Sequence, residues 1–238
     1  MVYGFKLYVL GTKMTKKIFI TGTDTDAGKT FSACVLECKL RALGYKVRPY
    51  KPIVAGFENG QNADLQGHTR ACGGELKPLD ITVCTYEEPI APHIAAVKTG
   101  KPITWEALDQ GLEAGLKDKP DFLFTEGAGG WLLPLGEGRV LPDWPALKDM
   151  DVILVVGMKL GCLNHALLTA LAIKQKGCKL VGYITCSPSA EKMPYFEENR
   201  ATLKEMLQVP YLGDIPFTPS GDFAKAKADL DLAPLFNN

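Results

Sequence analysis

A glycine-rich segment near the start of the chain has the residue types of a phosphate-binding loop. Positions 20–30 read Ile-Thr-Gly-Thr-Asp-Thr-Asp-Ala-Gly-Lys-Thr. Glycine permits positive φ and lets backbone N–H groups face an anion, and a following helix adds its positive dipole end. In such a loop Lys29 reaches the β- and γ-phosphates of a nucleotide, and the Thr30 hydroxyl binds Mg²⁺. The segment therefore predicts a nucleotide site.

The spacing of this loop is a variant of the strict motif. Five residues separate Gly22 from Gly28, one more than the motif has, so Thr23 stands where the first glycine is expected. The alternative interpretation is an ordinary strand-to-helix turn with a solvated lysine. An apolar run before the loop and a helical pattern after it favour phosphate binding.

Three more polar side chains have types suited to phosphoryl chemistry. Lys51 lies at a strand end, where its ammonium would neutralise a transferring phosphoryl group; the alternative is a solubilising surface charge. Glu126 ends another strand before Gly-Ala-Gly-Gly, and its carboxylate and the Thr30 hydroxyl are the hard oxygen ligands that Mg²⁺ prefers. Asp64 would supply a third oxygen, or would simply be an acid at a helix N-terminus favoured by the dipole.

The segment at positions 157–165, Gly-Met-Lys-Leu-Gly-Cys-Leu-Asn-His, joins a strand to a helix. Its amides and Lys159 are suited to hold a substrate carboxylate; the alternative is a helix-start loop capped by Asn164. His165 has no acid or nucleophile nearby in sequence, and His68 and His93 are equally isolated. We therefore predict no histidine general base and no metal cluster.

Composition narrows the functional class. The 238 residues contain 27 Lys+Arg and 27 Asp+Glu, so no general basic field attracts nucleic acid or anionic lipid. The seven cysteines are odd in number and scattered, and Cys34 and Cys38 lack the further Cys or His that would close a zinc site. We expect reduced thiols in a cytoplasmic protein that binds neither nucleic acid nor a membrane.

The first 13 residues are partly apolar, but the run is too short to span a bilayer and lacks a signal-peptide cleavage pattern. Met14 begins Met-Thr-Lys-Lys directly before the first strand. We therefore divide the chain into an extension at 1–13, which an alternative start or an added leader would explain, and one α/β domain at 14–238.

Strand-like and helix-like segments alternate along this domain. Buried strands are predicted at 17–23, 47–54, 122–125, 152–156, 180–185 and 211–215. Helices are predicted at 29–43, 105–116, 164–176 and 196–207, the first ending at Gly44 in a left-handed cap. This order predicts a doubly wound, mainly parallel sheet with helices on both faces. The residues after Ile20, Ile53, Phe124, Val156 and Ile184 should then share one rim, where ligands bind.

An ordered set of motifs closely resembles dethiobiotin synthetase. The motifs are Gly-Thr-Asp-Thr-Asp-Ala-Gly-Lys-Thr at 22–30, Lys-Pro-Ile-Val-Ala-Gly at 51–56, Glu-Pro-Ile-Ala-Pro-His at 88–93, Glu-Gly-Ala-Gly-Gly-Trp at 126–131 and Lys-Leu-Gly-Cys-Leu-Asn-His at 159–165. The resemblance runs from about Met14 to the Gly-Asp-Ile-Pro segment at 213–216. It implies a P-loop NTPase-like fold and the penultimate step of biotin biosynthesis. In that step 7,8-diaminononanoate, CO₂ and ATP give dethiobiotin, ADP and phosphate through a carbamate and a carbamic-phosphoric anhydride.

The resemblance also implies roles for individual residues. Lys29 and Lys51 would stabilise carbamate and phosphate charge, and Mg²⁺ would be held by Thr30, Asp64 and Glu126. ATP would contact Asp26, Ala27, Gly28, Lys29, Thr30, Phe31, Asp64, Glu126, Gly127, Ala128 and Gly129, with Pro216, Phe217 and Thr218 flanking the base. The diamine would lie beside Thr25 and Ala55. Its carboxylate would be held across a homodimer interface by the segment that carries Lys159, Leu160, Gly161 and Asn164.

Two segments depart from the family pattern, one at position 55 and one at positions 186–187. Ala55 stands where the family commonly has a serine that contacts substrate, so that hydrogen bond is lost. Cys186 and Ser187 stand where the family has an Asn-Asp pair that reads adenine. We therefore predict a relaxed nucleotide preference.

Two other classes of nucleotide-binding protein fit less well. A ParA/MinD-like dimerisation switch requires a second, signature lysine in its loop, and Asp24 occupies that position. A glutamine-dependent amide ligase requires a glutaminase domain, for which the residues after Ile215 leave no room, and no Cys-His pair follows.

Overall fold

The computed structural model describes residues 14–236. The predicted extension at 1–13 lies outside the described residues. Within them the strands are β1 (Lys16–Gly22), β2 (Val47–Tyr50), β3 (Ile53–Ala55), β4 (Cys84–Tyr86), β5 (Phe122–Glu126), β6 (Pro134–Gly136), β7 (Arg139–Val140), β8 (Asp151–Gly157), β9 (Leu180–Cys186), β10 (Tyr211–Ile215) and β11 (Asp229–Leu230).

Helices connect most of these strands. The α-helices are α1 (Lys29–Ala42), α2 (Ala63–Ala71), α3 (Pro92–Thr99), α4 (Trp105–Leu116), α5 (Asp143–Leu147), α6 (Cys162–Gln175) and α7 (Phe196–Leu207). Short 3₁₀ turns lie at Pro78–Ile81, Phe223–Lys225 and Ala233–Phe236. None of the helices in the described part of the chain is long and apolar enough to cross a membrane.

Seven strands form the central sheet in the order β11-β10-β9-β8-β1-β5-β2. All neighbours pair in parallel except β10 and β11. Strand β1 is central, and its Ile20 is in register with Glu126 of β5. The carboxyl ends of parallel strands meet at one edge, so the loop after β1 and the Glu126 side chain are neighbours.

The sheet divides the hydrophobic core into two parts, one on each face. Ile18 and Ile20 pack with Leu36 and Leu40 of α1, whereas Phe19 points to the opposite face, where α4 packs. This alternation follows from the period of two in a strand. Helices on both faces thus bury the sheet, as the sequence predicts.

Several predicted elements are confirmed closely. The helices predicted at 105–116 and 196–207 and the strand predicted at 211–215 have the observed bounds. Gly44 adopts the left-handed conformation predicted after α1, with φ 86°.

Two predictions are wrong in part. The strand predicted at 47–54 is two strands, β2 in the central sheet and β3 in a separate sheet with β4, so the strand that carries Ile53 does not share the central rim. Pro52 lacks an N–H, and the chain changes sheet there. The helix predicted from Asn164 begins two residues earlier, and the residue that caps it is Gly161 with φ 94°. Asn164 therefore is not the cap.

The packing of α1 gives a stability prediction. Leu36 is fully buried in the core, whereas Leu43 at the end of the same helix is 62% exposed. We expect Leu36→Ala to lower the free energy of unfolding by about 3 kcal/mol because it leaves a cavity. Leu43→Ala, the matched control, should change it by less than about 0.5 kcal/mol. Urea denaturation of both variants measures the difference, and equal effects would contradict this packing.

Candidate active site

The loop between β1 and α1 has the backbone of an anion site. Asp26 and Gly28 adopt positive φ of 56° and 89°, and no side chain caps the first N–H groups of α1. Unpaired N–H groups and the helix dipole together attract an anion. The Lys29 ammonium folds back over the loop and donates to the carbonyl oxygen of Asp24 at 2.9 Å.

The carboxyl ends of β8 and β9 pack against this loop. A Cβ added at Gly157 would lie 2.8 Å from Cα of Ala27, and one added at Gly28 would lie 2.4 Å from Sγ of Cys186. The Gly157 N–H also donates to the Thr23 hydroxyl at 3.3 Å. The loop therefore needs glycine at both contact points to reach this position.

Glu126 is the centre of a cluster of polar side chains beside the loop. Its Oε1 accepts from the Thr30 hydroxyl at 2.7 Å and from the Lys51 ammonium at 2.5 Å. The same ammonium lies 2.9 Å from Oδ2 of Asp64. The Asn62 side chain caps α2 and thereby sets Asp64 in its first helical turn, as the dipole argument predicts.

Burial and charge set the protonation of this cluster. Burial alone would raise the pKa of Glu126, but the Lys51 ammonium and the His68 hydrogen bond hold it well below its ordinary value. Burial opposes the charge on Lys51, yet Glu126 and Asp64 raise its pKa above the ordinary value. For Lys29, burial prevails and lowers the pKa. Glu126 and Lys51 are therefore an ion pair.

A cleft of about 800 Å³ opens over this cluster and the loop. Its lining includes predicted site residues from five segments: Thr25, Asp26, Gly28, Lys29, Thr30, Phe31, Lys51, Ala55, Asp64, Glu126, Ala128 and Gly129. Apolar residues, among them Ile53, Ile90 and Leu133, line the rest. The cleft thus joins a charged end to an apolar wall, which suits a ligand with both characters.

Other predicted site residues do not line this cleft. Ala27 and Gly127 are buried within their turns, and Pro216, Phe217 and Thr218 follow β10 farther along the sheet edge. The predicted carboxylate-binding residues Lys159, Leu160, Gly161 and Asn164 are also outside it. The Lys159 ammonium instead contacts Oδ2 of Asp24 at 2.8 Å, with both side chains about half exposed.

The prediction that His68 is isolated is wrong. Its Nε2 lies 2.7 Å from Oε2 of Glu126, and its Nδ1 lies 2.8 Å from Oε1 of Glu37. The partners are 58 and 31 residues away in sequence, so local sequence could not show them. A helical pattern would have shown that Asp64 and His68 share a face of α2, one turn apart.

The oxygen donors beside the loop fit a magnesium ion. The Thr30 hydroxyl and the Asp64 and Glu126 carboxylates are hard ligands. Thr30 contacts the Glu126 carboxylate, and the Glu126 and Asp64 carboxylates share the Lys51 ammonium. No sulfur or imidazole faces the cleft among its lining residues. These three side chains have the chemistry that would hold Mg²⁺ with nucleotide phosphates.

Comparisons with known proteins show the family to which the chain is similar. The AAA domain family matches residues 16–224. The ATP-dependent dethiobiotin synthetase BioD of Baumannia cicadellinicola is 39% identical over 226 residues, 93% of this chain and 100% of that protein. BioD 1 of Salmonella typhi is 40% identical over 230 residues, 93% of this chain and 99% of that protein.

Solved structures support the fold alone. The cell division protein FtsY from Thermotoga maritima superposes with a TM-score of 0.52 at 13% identity, covering 94% of this chain and 69% of FtsY. Chloroplast FtsY from Physcomitrella patens gives 0.52 at 16% identity, with coverages of 95% and 65%. The loop between β1 and α1, called the phosphate-type loop below, and the cluster around Glu126 accord with the full-length matches to BioD proteins. The chain therefore belongs to the ATP-dependent dethiobiotin synthetase family.

Proposed function

We propose that this chain joins CO₂ to 7,8-diaminononanoate in the cleft beside Glu126 and closes the cyclic urea of dethiobiotin. One amine of the substrate takes up CO₂ as a carbamate. A carbamate oxygen attacks the γ-phosphorus of ATP, which gives a carbamic-phosphoric anhydride and ADP. The second amine then attacks the carbonyl carbon, expels phosphate and closes the ring.

The observation that carries this proposal is the meeting of Thr30, Lys51, Asp64 and Glu126 at the phosphate-type loop. Phosphoryl transfer needs positioned charge more than a covalent nucleophile. Lys29 and Lys51 supply two cations at the charged end of the cleft. They would neutralise the charge that develops on the phosphoryl group and on the carbamate.

Magnesium would be held by Thr30, Asp64 and Glu126 together with phosphate oxygens. When bound, it would neutralise phosphate charge as a Lewis acid. ATP would be held by the loop at 25–31 and by the turn at 126–129, where backbone amides and small residues permit close approach.

The apolar wall of the cleft supports an aliphatic substrate. Ile53, Val54, Ile90 and Leu133 would contact its methylene chain, with Thr25 and Ala55 nearby. Methylene groups lose unfavourable water contact against such a wall. Ala55 has no side-chain hydrogen-bonding group, so its contact with the substrate would be a van der Waals contact.

The nucleotide base would lie towards the ends of β9 and β10. Cys186 is buried against the loop at Gly28, and Pro188, two residues on, lines the cleft. A buried thiol cannot read the adenine edge as an amide does. We therefore predict a relaxed nucleotide preference, with Pro216, Phe217 and Thr218 beside the base. Assays with CTP and GTP test this, and rates that strongly favour ATP would count against it.

A homodimer would complete the site. Leu160 is 94% exposed, and Leu168 and Leu171 on α6 are more than half exposed. Leu160 lies in the loop before α6, and Leu168 and Leu171 share with Asn164 one exposed face of this helix. Burying this face against a second copy would place the 159–164 segment beside the partner's cleft. The seven cysteines are unpaired, consistent with a proposed location in the reducing cytoplasm.

The proposed reaction predicts a specific product and a strong dependence on Lys51. Mass spectrometry of a mixture with diaminononanoate, bicarbonate, Mg²⁺ and ATP should show dethiobiotin and ADP in equal amounts. We expect Lys51→Gln to lower kcat/KM by about 10³-fold because it removes a cation at the developing charge.

Lys225→Gln is the matched control, because the side chain of this lysine is 77% exposed and its ammonium pairs with Asp222 one turn away, far from the cluster around Glu126 in sequence. It should leave kcat/KM unchanged, and circular dichroism should show that both variants are folded. Normal turnover by Lys51→Gln would remove its assigned role, and ADP release without the cyclic product would contradict the reaction itself.

The proposed dimer predicts complementation between two inactive variants. If Lys159 serves the partner's cleft, Lys159→Ala in one chain and Lys51→Gln in the other damage the same site of a mixed dimer, and the second site is intact. Refolding the two together in equal amounts should restore about a quarter of wild-type activity.

Each variant alone provides the control for this mixture and should be nearly inactive. If Lys159 instead acts on its own chain through Asp24, both sites of a mixed dimer are damaged and activity stays absent. Full activity of Lys159→Ala alone would contradict any role for this lysine.

A further inference from the structure

A buried histidine–glutamate pair lies behind the cleft. His68 on α2 and Glu37 on α1 are both fully buried, and neither lines the cleft. Glu37 contacts Nδ1 of the imidazole at 2.8 Å, and Nε2 contacts Glu126 at 2.7 Å. The three side chains form a line from the interior to the charged end of the site.

Burying the His68–Glu37 pair has a free-energy cost. Moving two ionisable groups out of water costs free energy, and apolar residues of similar volume often replace a buried pair without loss. Cys34 and Cys72 pack around the pair, and burial raises the pKa of the Cys34 thiol to about 12, so this thiol is neutral. The contact between His68 and Glu126 offers a reason for the presence of this pair.

The pair determines which way the Glu126 carboxylate faces. The terminal torsion of a glutamate side chain is broad, so one occupied oxygen does not define the carboxylate plane. His68 holds Oε2, and Oε1 is left to face Thr30 and Lys51. Glu37 in turn holds the opposite nitrogen and prevents the ring from rotating.

We propose that His68 is a positioning residue, which, with its ring held by Glu37, directs Oε1 of Glu126 towards the Thr30 hydroxyl and the magnesium position. This inference rests on the proposed function, in which Glu126 binds the metal. It extends that function to two residues that contact neither nucleotide nor substrate.

His68 and Glu37 together position Glu126 without adding net charge to the site. Glu126 is a carboxylate and can only accept, so Nε2 of His68 carries the hydrogen that it donates. One further proton lies between Glu37 and Nδ1, and wherever it resides the two side chains sum to zero. Removing both therefore changes the orientation of Glu126 while the charge near the metal position stays the same.

The test compares two double variants by metal binding. Glu37→Leu/His68→Leu removes the donor to Glu126 and leaves no buried charge unpaired. With Mn²⁺ as the probe and β,γ-methylene-ATP present, electron paramagnetic resonance should show a Kd raised about tenfold. Affinity for the nucleotide in EDTA and the unfolding temperature should stay near wild type, which separates positioning from a merely structural role.

Glu37→Gln/His68→Gln is the matched control. The amide introduced at position 68 can donate to Oε2 of Glu126, and the amide at position 37 can hold it in turn. We expect this variant to recover a Mn²⁺ Kd close to wild type. Equal weakening in the glutamine and leucine variants would overturn the hydrogen-bond role, as would an unchanged Kd in the leucine variant.

Two further measurements separate this inference from the function on which it rests. If Glu126→Gln weakens Mn²⁺ binding and the leucine variant does not, only the positioning role fails. If Glu126→Gln also leaves binding unchanged, the proposed metal role of Glu126 fails. Cys34, Glu37 and His68 place ligand-type atoms within 4.8 Å of one another, so stoichiometric zinc in the purified protein would also overturn the inference, because metal would replace the proton at Nδ1.

Discussion

The buried carboxylate of Glu126 is the contact on which the site depends. It ends β5 and accepts hydrogen bonds from Thr30 on α1, Lys51 after β2 and His68 on α2. A buried charge is tolerated only when it is paired and hydrogen-bonded. Each of these elements must therefore keep its place for the others to remain stable, which joins the phosphate-type loop to the rest of the sheet edge.

The sequence predicted the parts of the fold and site that follow from local pattern. The helix at Trp105–Leu116 and the strand at Tyr211–Ile215 have clear periodicity and clear ends. Lys29, Thr30 and Glu126 were predicted to converge because the carboxyl ends of parallel strands lie at one edge. That reasoning needs only the order of elements, which the sequence carries.

What the sequence could not predict depends on long-range pairing. The chain moves from one sheet to another at Pro52, so β2 and β3 are separate strands. The sequence of this segment shows only one apolar run, because the pairing partners lie elsewhere in the chain. Helix α2 was missed as an element because its buried face includes Gly67 and His68 instead of an apolar stripe. The partners of His68 come from other elements, so its role required three-dimensional coordinates. Whether the 159–164 segment serves a second subunit is still a prediction.

The change of sheet at Lys51 and Pro52 separates two tasks within one cleft. Strand β2 pairs with β5, which also carries Glu126, whereas β3 and its Ala55 pair with β4 in a separate two-stranded sheet. Ile53 packs in the same core as Tyr50 of β2 and Leu123 of β5, whereas Ala55 is only partly buried and lines the cleft. Replacing the Ala55 side chain would thus change the apolar wall of the cleft while the charged cluster around Glu126 keeps its position.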